Sequence, residues 1–216
     1  MKFFIMVFCA LLVGGISNAQ LVITDEPSAL ALAQRLVGDG VTISNVSFTG
    51  NTLMAGKFRN TGNFTHINLD SGIVLTDGRA KTIDIDNIGT NGDGVTAASD
   101  VTASTMWGLP GDQDLANAIG ADVTDLNDAC VLEFDFVPSG DTIRFRYVFS
   151  SEEYFPGYVC TYNDAFGFFI SGPGITGIRN IALVPNTTTP VSIFNVNNVT
   201  DPPANCVSNP LLYYDN

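Results

Sequence analysis

Charge is scarce and one-sided in this chain: only 14% of its 216 residues are charged, with 9 Lys+Arg against 22 Asp+Glu. A formal net charge of −13 argues against nucleic acid and anionic membrane surfaces as partners, because both repel it. One histidine, His66, is all the chain has, so a multi-histidine zinc site is impossible. Any Ser-His-Asp or Cys-His mechanism would have to run through it. His66 stands in the polar string Thr65-His66-Ile67-Asn68 and reads as an exposed loop residue rather than a base. No H-E-x-x-H motif and no strand-to-helix nucleophile turn is present. Sparse charge also excludes long surface helices and coiled coils, while 45% hydrophobic residues exclude wholesale disorder.

Long apolar runs are missing too. The longest, Phe3–Val13, has eleven residues, against the roughly 20 that a bilayer span needs. Its setting explains it: Met1-Lys2 supplies a positive start, Gly14-Gly15 breaks the run, and Ser17-Asn18-Ala19 places small residues before a cleavage point. Residues 1–19 therefore read as a cleaved signal peptide, which leaves 20–216 as one exported domain with no membrane span. Without the signal the chain keeps 8 Lys+Arg against 22 Asp+Glu, a formal balance of −14.

What remains is rich in short β-type runs between Gly, Asn, Asp and Thr turns. One helix is expected near Pro27–Val37: Leu30, Ala33, Leu36 and Val37 recur at helical spacing, and Gly38 and Gly40 stop it. Val41–Phe48, Gly72–Thr76, Phe166–Ile170, Ile181–Val184 and Val191–Val196 read as strands, and Ile83–Asp114 as the longest irregular stretch. In Val131–Phe149, Leu132, Phe134 and Phe136 alternate with Glu133 and Asp135. Ile143, Phe145, Tyr147 and Phe149 alternate with Arg144 and Arg146 in the same way. With Pro138–Asp141 as the turn, a hairpin results in which Asp135 faces Arg144 and Glu133 faces Arg146. The fold class is mainly β, a β-sandwich or jelly-roll-like domain with one short N-terminal helix.

Three cysteines survive removal of the signal: Cys130, Cys160 and Cys206. Cys160 and Cys206 both fall in loops, whereas Cys130 stands at the start of a strand, so Cys160–Cys206 is the expected disulfide. Cys130 is then a free thiol, or one paired outside this chain.

Several strings follow one another in a fixed order: Leu69–Leu75 (LDSGIVL), Gly108–Leu115 (GLPGDQDL), Val131–Pro138 (VLEFDFVP) and Arg146–Tyr154 (RYVFSSEEY). After them come Tyr162–Phe169 (YNDAFGFF), Ser171–Ile175 (SGPGI) and Asn180–Pro185 (NIALVP). In this order they resemble the choice-of-anchor L domain from about Pro27 to the end. The resemblance implies an exported bacterial surface protein, in which a C-terminal anchor or sorting domain is expected beyond the end of this chain. It also implies adhesive or cell-wall neighbours and further strands after Tyr213–Asn216. The biochemical activity of that family is not established, so the resemblance speaks to compartment and architecture more than to function.

The loop acids define the functional expectations. Asp112 and Asp114 share a Gly/Pro-held loop, Glu152 and Glu153 follow the Ile143–Phe149 run, and Asn163-Asp164 precede Phe166. Calcium takes six to eight oxygen ligands of this kind, so Asp112, Asp114, Glu153 and Asp164 are the expected calcium ligands. Asp84–Gly89 only superficially matches a calcium loop, because Ile88 takes a ligand position. The expected function is a non-catalytic, surface-associated binding or adhesion module for an extracellular glycan or protein. The alternatives are a structural spacer in a larger surface protein, or a carbohydrate-active enzyme working through paired carboxylates.

Overall fold

The computed structural model describes residues 21–60, 67–81, 105–138, 140–154 and 157–213. The expected signal peptide, His66 and Asp84–Gly89 lie outside these residues. Strand β1 (Leu21–Asp25) pairs antiparallel with β3 (Ala55–Asn60), and β3 with β4 (Ser71–Leu75), in the order β1-β3-β4. Register places Ile23 opposite Phe58 and Phe58 opposite Gly72. Ile23 and Phe58 are the buried centre of an apolar cluster that Ile67, Leu69 and Val74 complete. Gly72 is required by close approach: a Cβ there would stand 2.7 Å from the Phe58 ring.

Strand β2 (Thr42–Thr49) pairs with β5 (Val131–Val137), with Ile43 opposite Phe136 and Phe48 opposite Leu132. The ladder slips by one residue between Ser44 and Ser47, where Asn45 takes a φ of 50°. This is a bulge, and an asparagine tolerates the left-handed backbone it needs. Helix α1 (Ala29–Val37) packs on β2, β4 and β5, burying Leu32 and Ala33. It begins two residues later than the sequence pattern marks. Ser28 is its cap, with Oγ accepting from the Ala31 N–H at 3.2 Å. Arg35 in its last turn donates to Ser71 Oγ of β4.

A second helix, α2 (Gln113–Ile119), was not marked by the sequence pattern. Its seven residues are too few to show a helical repeat. Its two ends carry it instead: Asp112 accepts from the Leu115 N–H at 2.8 Å, and Gly120 closes it with φ 71° and ψ 30°.

Beyond residue 157 the strands shrink to two residues each. Strand β6 (Ala165–Phe166) pairs with β9 (Val191–Ser192), and β7 (Phe169–Ile170) with β8 (Arg179–Asn180). Of the expected Ile181–Val184 strand, an isolated bridge between Leu183 and Pro190 is present. The architecture is mainly β, with two short helices and several antiparallel sheets in a sandwich-like arrangement. No described helix is long and apolar enough to cross a membrane.

The hairpin is the main correction. Its first arm is β5, but Thr142–Ser150 carries no ladder, and neither Asp135–Arg144 nor Glu133–Arg146 forms an ion pair. Two of the four groups have other partners. Asp135 accepts from Asn45 Nδ2 at 2.6 Å, and Arg146 donates to the Asn68 carbonyl at 2.5 Å. Phe145 and Tyr147 stack on Phe168 and Phe166, with ring centroids 4.3 and 5.0 Å apart.

Candidate functional site

The four expected calcium ligands hold separate positions in the chain. Asp112 is the α2 cap, and Asp114 lies in the first turn of that helix, where a negative charge suits the helix dipole. Beside Asp112 is a hollow of about 80 Å³ walled by Pro110, Gly111, Ala129 and Val131, an apolar lining that supplies few oxygens. Asp164 accepts from Ser151 Oγ, which also accepts from the Glu153 N–H at 2.9 Å. Glu153 lies in a single 3-10 turn, Glu152–Tyr154. Among the described residues no three His, Cys, Asp or Glu side chains gather closely enough to hold a metal ion.

Ser151, Asp164 and Tyr154 form a half-buried junction. Tyr154 donates to the Val196 carbonyl at 2.6 Å and packs edge-on against Tyr213, with centroids 5.0 Å apart. Burial pushes its phenol well above the ordinary tyrosine range, and Tyr213 and Asp164 add to the shift. This tyrosine is therefore a fixed donor that ties the 3-10 turn to the C-terminal loops. Two carboxyls are held below their usual range: Glu26 by its hydrogen bond to Lys57, and Asp122 by the Thr124 N–H and hydroxyl. A glycosidase acid needs the opposite shift.

Pattern reasoning missed Asp128. It is buried, and its carboxylate accepts from the Trp107 N–H at 3.1 Å and the Leu109 N–H at 2.7 Å. Trp107 in turn donates its indole N–H to the Gly78 carbonyl at 3.1 Å. The Gly108–Asp112 loop is thus clamped from below by one acid. Gly111 must be glycine, since a Cβ would stand 2.4 Å from Leu126 Cβ. The only sequence signal was an Asn127-Asp128 pair just ahead of a strand, which is the kind of residue that bonds backbone in loops.

The disulfide is Cys160–Cys206, with Cα atoms 5.4 Å apart across 46 positions of sequence. Cys206 is buried, and Asn197, also fully buried, donates to its sulfur at 3.3 Å and to the Ile193 carbonyl at 2.9 Å. Cys130 is a free thiol whose Sγ–H points to the Met54 carbonyl at 3.7 Å. Burial pushes it up to about 12, and Asp77 adds to the shift while a backbone hydrogen bond from Thr76 opposes it. It is a structural thiol rather than a nucleophile.

The disulfide also fixes an exposed turn. Thr161 and Tyr162 N–H groups both donate to the Tyr158 carbonyl, at 2.8 and 3.1 Å. This tight turn, in which Cys160 takes a φ of 66°, brings Tyr158 and Tyr162, 48% and 54% exposed, to one side with ring centroids 5.7 Å apart.

The family model of the choice-of-anchor L domain matches residues 22–216, essentially everything after the expected signal. The chain belongs to the choice-of-anchor L domain family. No curated protein and no solved structure matches it. A choice-of-anchor domain carries a surface-protein context, and its family is not known as enzymatic. The Cys160–Cys206 bond fits an extracellular location, where disulfides persist.

Proposed function

We propose that this choice-of-anchor L chain is exported through its N-terminal signal and works at the cell surface as a non-catalytic binding or adhesion module for an extracellular glycan or protein. The observation that carries this reading is the disulfide-pinned turn Gly157–Tyr162, which presents Tyr158 and Tyr162 side by side at the surface. Tyrosine offers a large amphipathic contact at low conformational cost, because the ring is rigid and the hydroxyl stays wet. The backbone bonds and the bridge fix the turn beforehand, so little freedom is lost on binding.

The test is a screen of glycans and matrix proteins with the refolded domain, repeated with the Tyr158→Ala/Tyr162→Ala variant. Retained signal for one ligand class that the variant loses at least tenfold supports the reading. No ligand at all would favour a structural spacer between other domains of a longer surface protein. Calcium at Asp112, Asp114, Glu153 and Asp164 is a separate proposal, supported only by the placing of these acids beside Gly, Pro and Asn in the sequence. It would require the Asp112 and Asp164 carboxylates to leave or share their present hydrogen bonds, and the screen is run with and without millimolar calcium.

A further inference from the structure

Residues Thr142–Phe149 have the sequence of a strand and the position of one, yet carry no ladder. On one side, Phe145 meets Phe168 and Tyr147 meets Phe166, so a step of two along this segment is a step of two backwards along Ala165–Phe169. That is antiparallel register, and just past the segment Ser151 bonds Asp164, in the residues leading into β6. On the other side lies β5, whose ladder is with β2. Between β5 and the segment is a cleft of about 230 Å³, walled by Phe136 and Pro138 on one arm, Ile143 and Phe145 on the other, and Leu36 and Val37 of α1. Glu133, Asp135, Arg144 and Arg146 are all exposed, with no ion pair among them.

We propose that Thr142–Phe149 is a strap that closes as a strand between β5 and β6–β7, joining the β2–β5 sheet to the two short pairs β6–β9 and β7–β8. Closure fills the cleft with Ile143 and Phe145 and brings Asp135 opposite Arg144 and Glu133 opposite Arg146. Arg146 gives up the Asn68 carbonyl and gains a carboxylate, while the aromatic stacks on Phe166 and Phe168 are kept. The register is fixed, because a slip of one residue would turn the arginines toward the core. The strap does not depend on what the surface of the module binds.

Cysteine cross-linking tests it in the full chain carrying Cys130→Ser. Opposite residues in a ladder have Cβ atoms about 4.5–5.5 Å apart and diagonal ones about 7–8 Å, and a disulfide needs Cα atoms within about 7 Å. Asp135→Cys/Arg144→Cys should therefore oxidise at least tenfold faster than Asp135→Cys/Arg146→Cys, with peptide mapping showing Cys160–Cys206 intact. Equal rates, or no bond in either variant, overturn the proposal. If either variant loses the native bridge, amide exchange on the unaltered chain decides. Protection of successive amides through Ile143–Phe149 by at least a hundredfold upholds the strap, and protection of alternate amides only, or exchange at open-chain rates throughout, overturns it.

Discussion

In β1, β3 and β4 the backbone is satisfied by ladders, which pair residue by residue from Leu21–Asn60 to Arg59–Ser71. The apolar side chains left over then meet around Ile23 and Phe58. From Tyr158 to Asn209 the strands are two residues long, and asparagine side chains take over the same work. Asn163 accepts from the Phe194 N–H, Asn180 from the Phe168 and Ala182 N–H groups, and Asn195 donates to the Pro190 carbonyl. Asn197 holds the Ile193 carbonyl and the Val199 N–H from a fully buried position. One region is built by pairing and burial, the other by side-chain hydrogen bonds and a covalent staple. Buried polar groups are costly unless satisfied, so the second region has little tolerance for a missing partner.

The largest expected effect separates the two regions directly. A bridge across 46 positions restricts the unfolded chain by about 4 kcal/mol in the loop-entropy model. Cys160→Ser/Cys206→Ser should lower stability by that order in denaturant titration. Amide protection should fall in residues 157–213 and persist in β1, β3 and β4. Simultaneous loss of protection in both regions would show that they unfold as one unit and erase the contrast.

How much of this was legible follows from the same division. Strands β2, β4 and β5 and helix α1 were readable because apolar periodicity marks elements that bury one face. The Cys160–Cys206 pair was readable from loop position alone. Strand β3 was not: in Ala55-Gly56-Lys57-Phe58-Arg59-Asn60 a single aromatic stands between two cations, and only register shows Phe58 pointing inward. The roles of Asp128 and Asn197 were invisible to pattern, since what they satisfy is backbone distant in space or folded back in a loop. The hairpin was half legible. Its period of two was right, but the second arm carries no ladder with β5 and its aromatics rest on Phe166 and Phe168.

A smaller effect probes the first region through the thiol beneath it. Cys130 reaches toward Met54, at the junction of β3 and the turn before it. Its ordinary value is 9.0 and burial raises it to about 12 in the folded protein. Between these values the unfolded chain releases the thiol proton and the folded one keeps it, so the native state binds more protons. Stability is therefore full below about pH 9 and falls as pH rises toward 12, at up to about 1.4 kcal/mol per pH unit. Half-buried Tyr154 and the partly buried Tyr147 are raised in the same direction and steepen the decline at higher pH. Cys130→Ala should flatten the onset near pH 9 in thermal melts. An unchanged profile would assign the whole decline to the tyrosines.

The smallest effect falls between the two regions, at Asp112. As a helix cap it accepts from the Leu115 N–H, and Asn is as good a cap as Asp. Asp112→Ala should cost about 1 kcal/mol of stability, and Asp112→Asn a few tenths at most, the remainder being the lost charge at the α2 N-terminus. A calcium ligand behaves differently, since an amide replaces the cap but not the ionic bond to a divalent cation. Calorimetric titration of the chelator-treated protein separates the roles. A cap alone gives no heat with calcium, and alanine is then worse than asparagine with or without the ion. A calcium site gives heat and a higher melting temperature in the parent chain, and asparagine loses both as fully as alanine does. The first pattern would make Asp112 a local device of α2. The second would make the loop acids a cross-link by charge, doing for the Gly108–Asp112 loop what the disulfide does for residues 160–206.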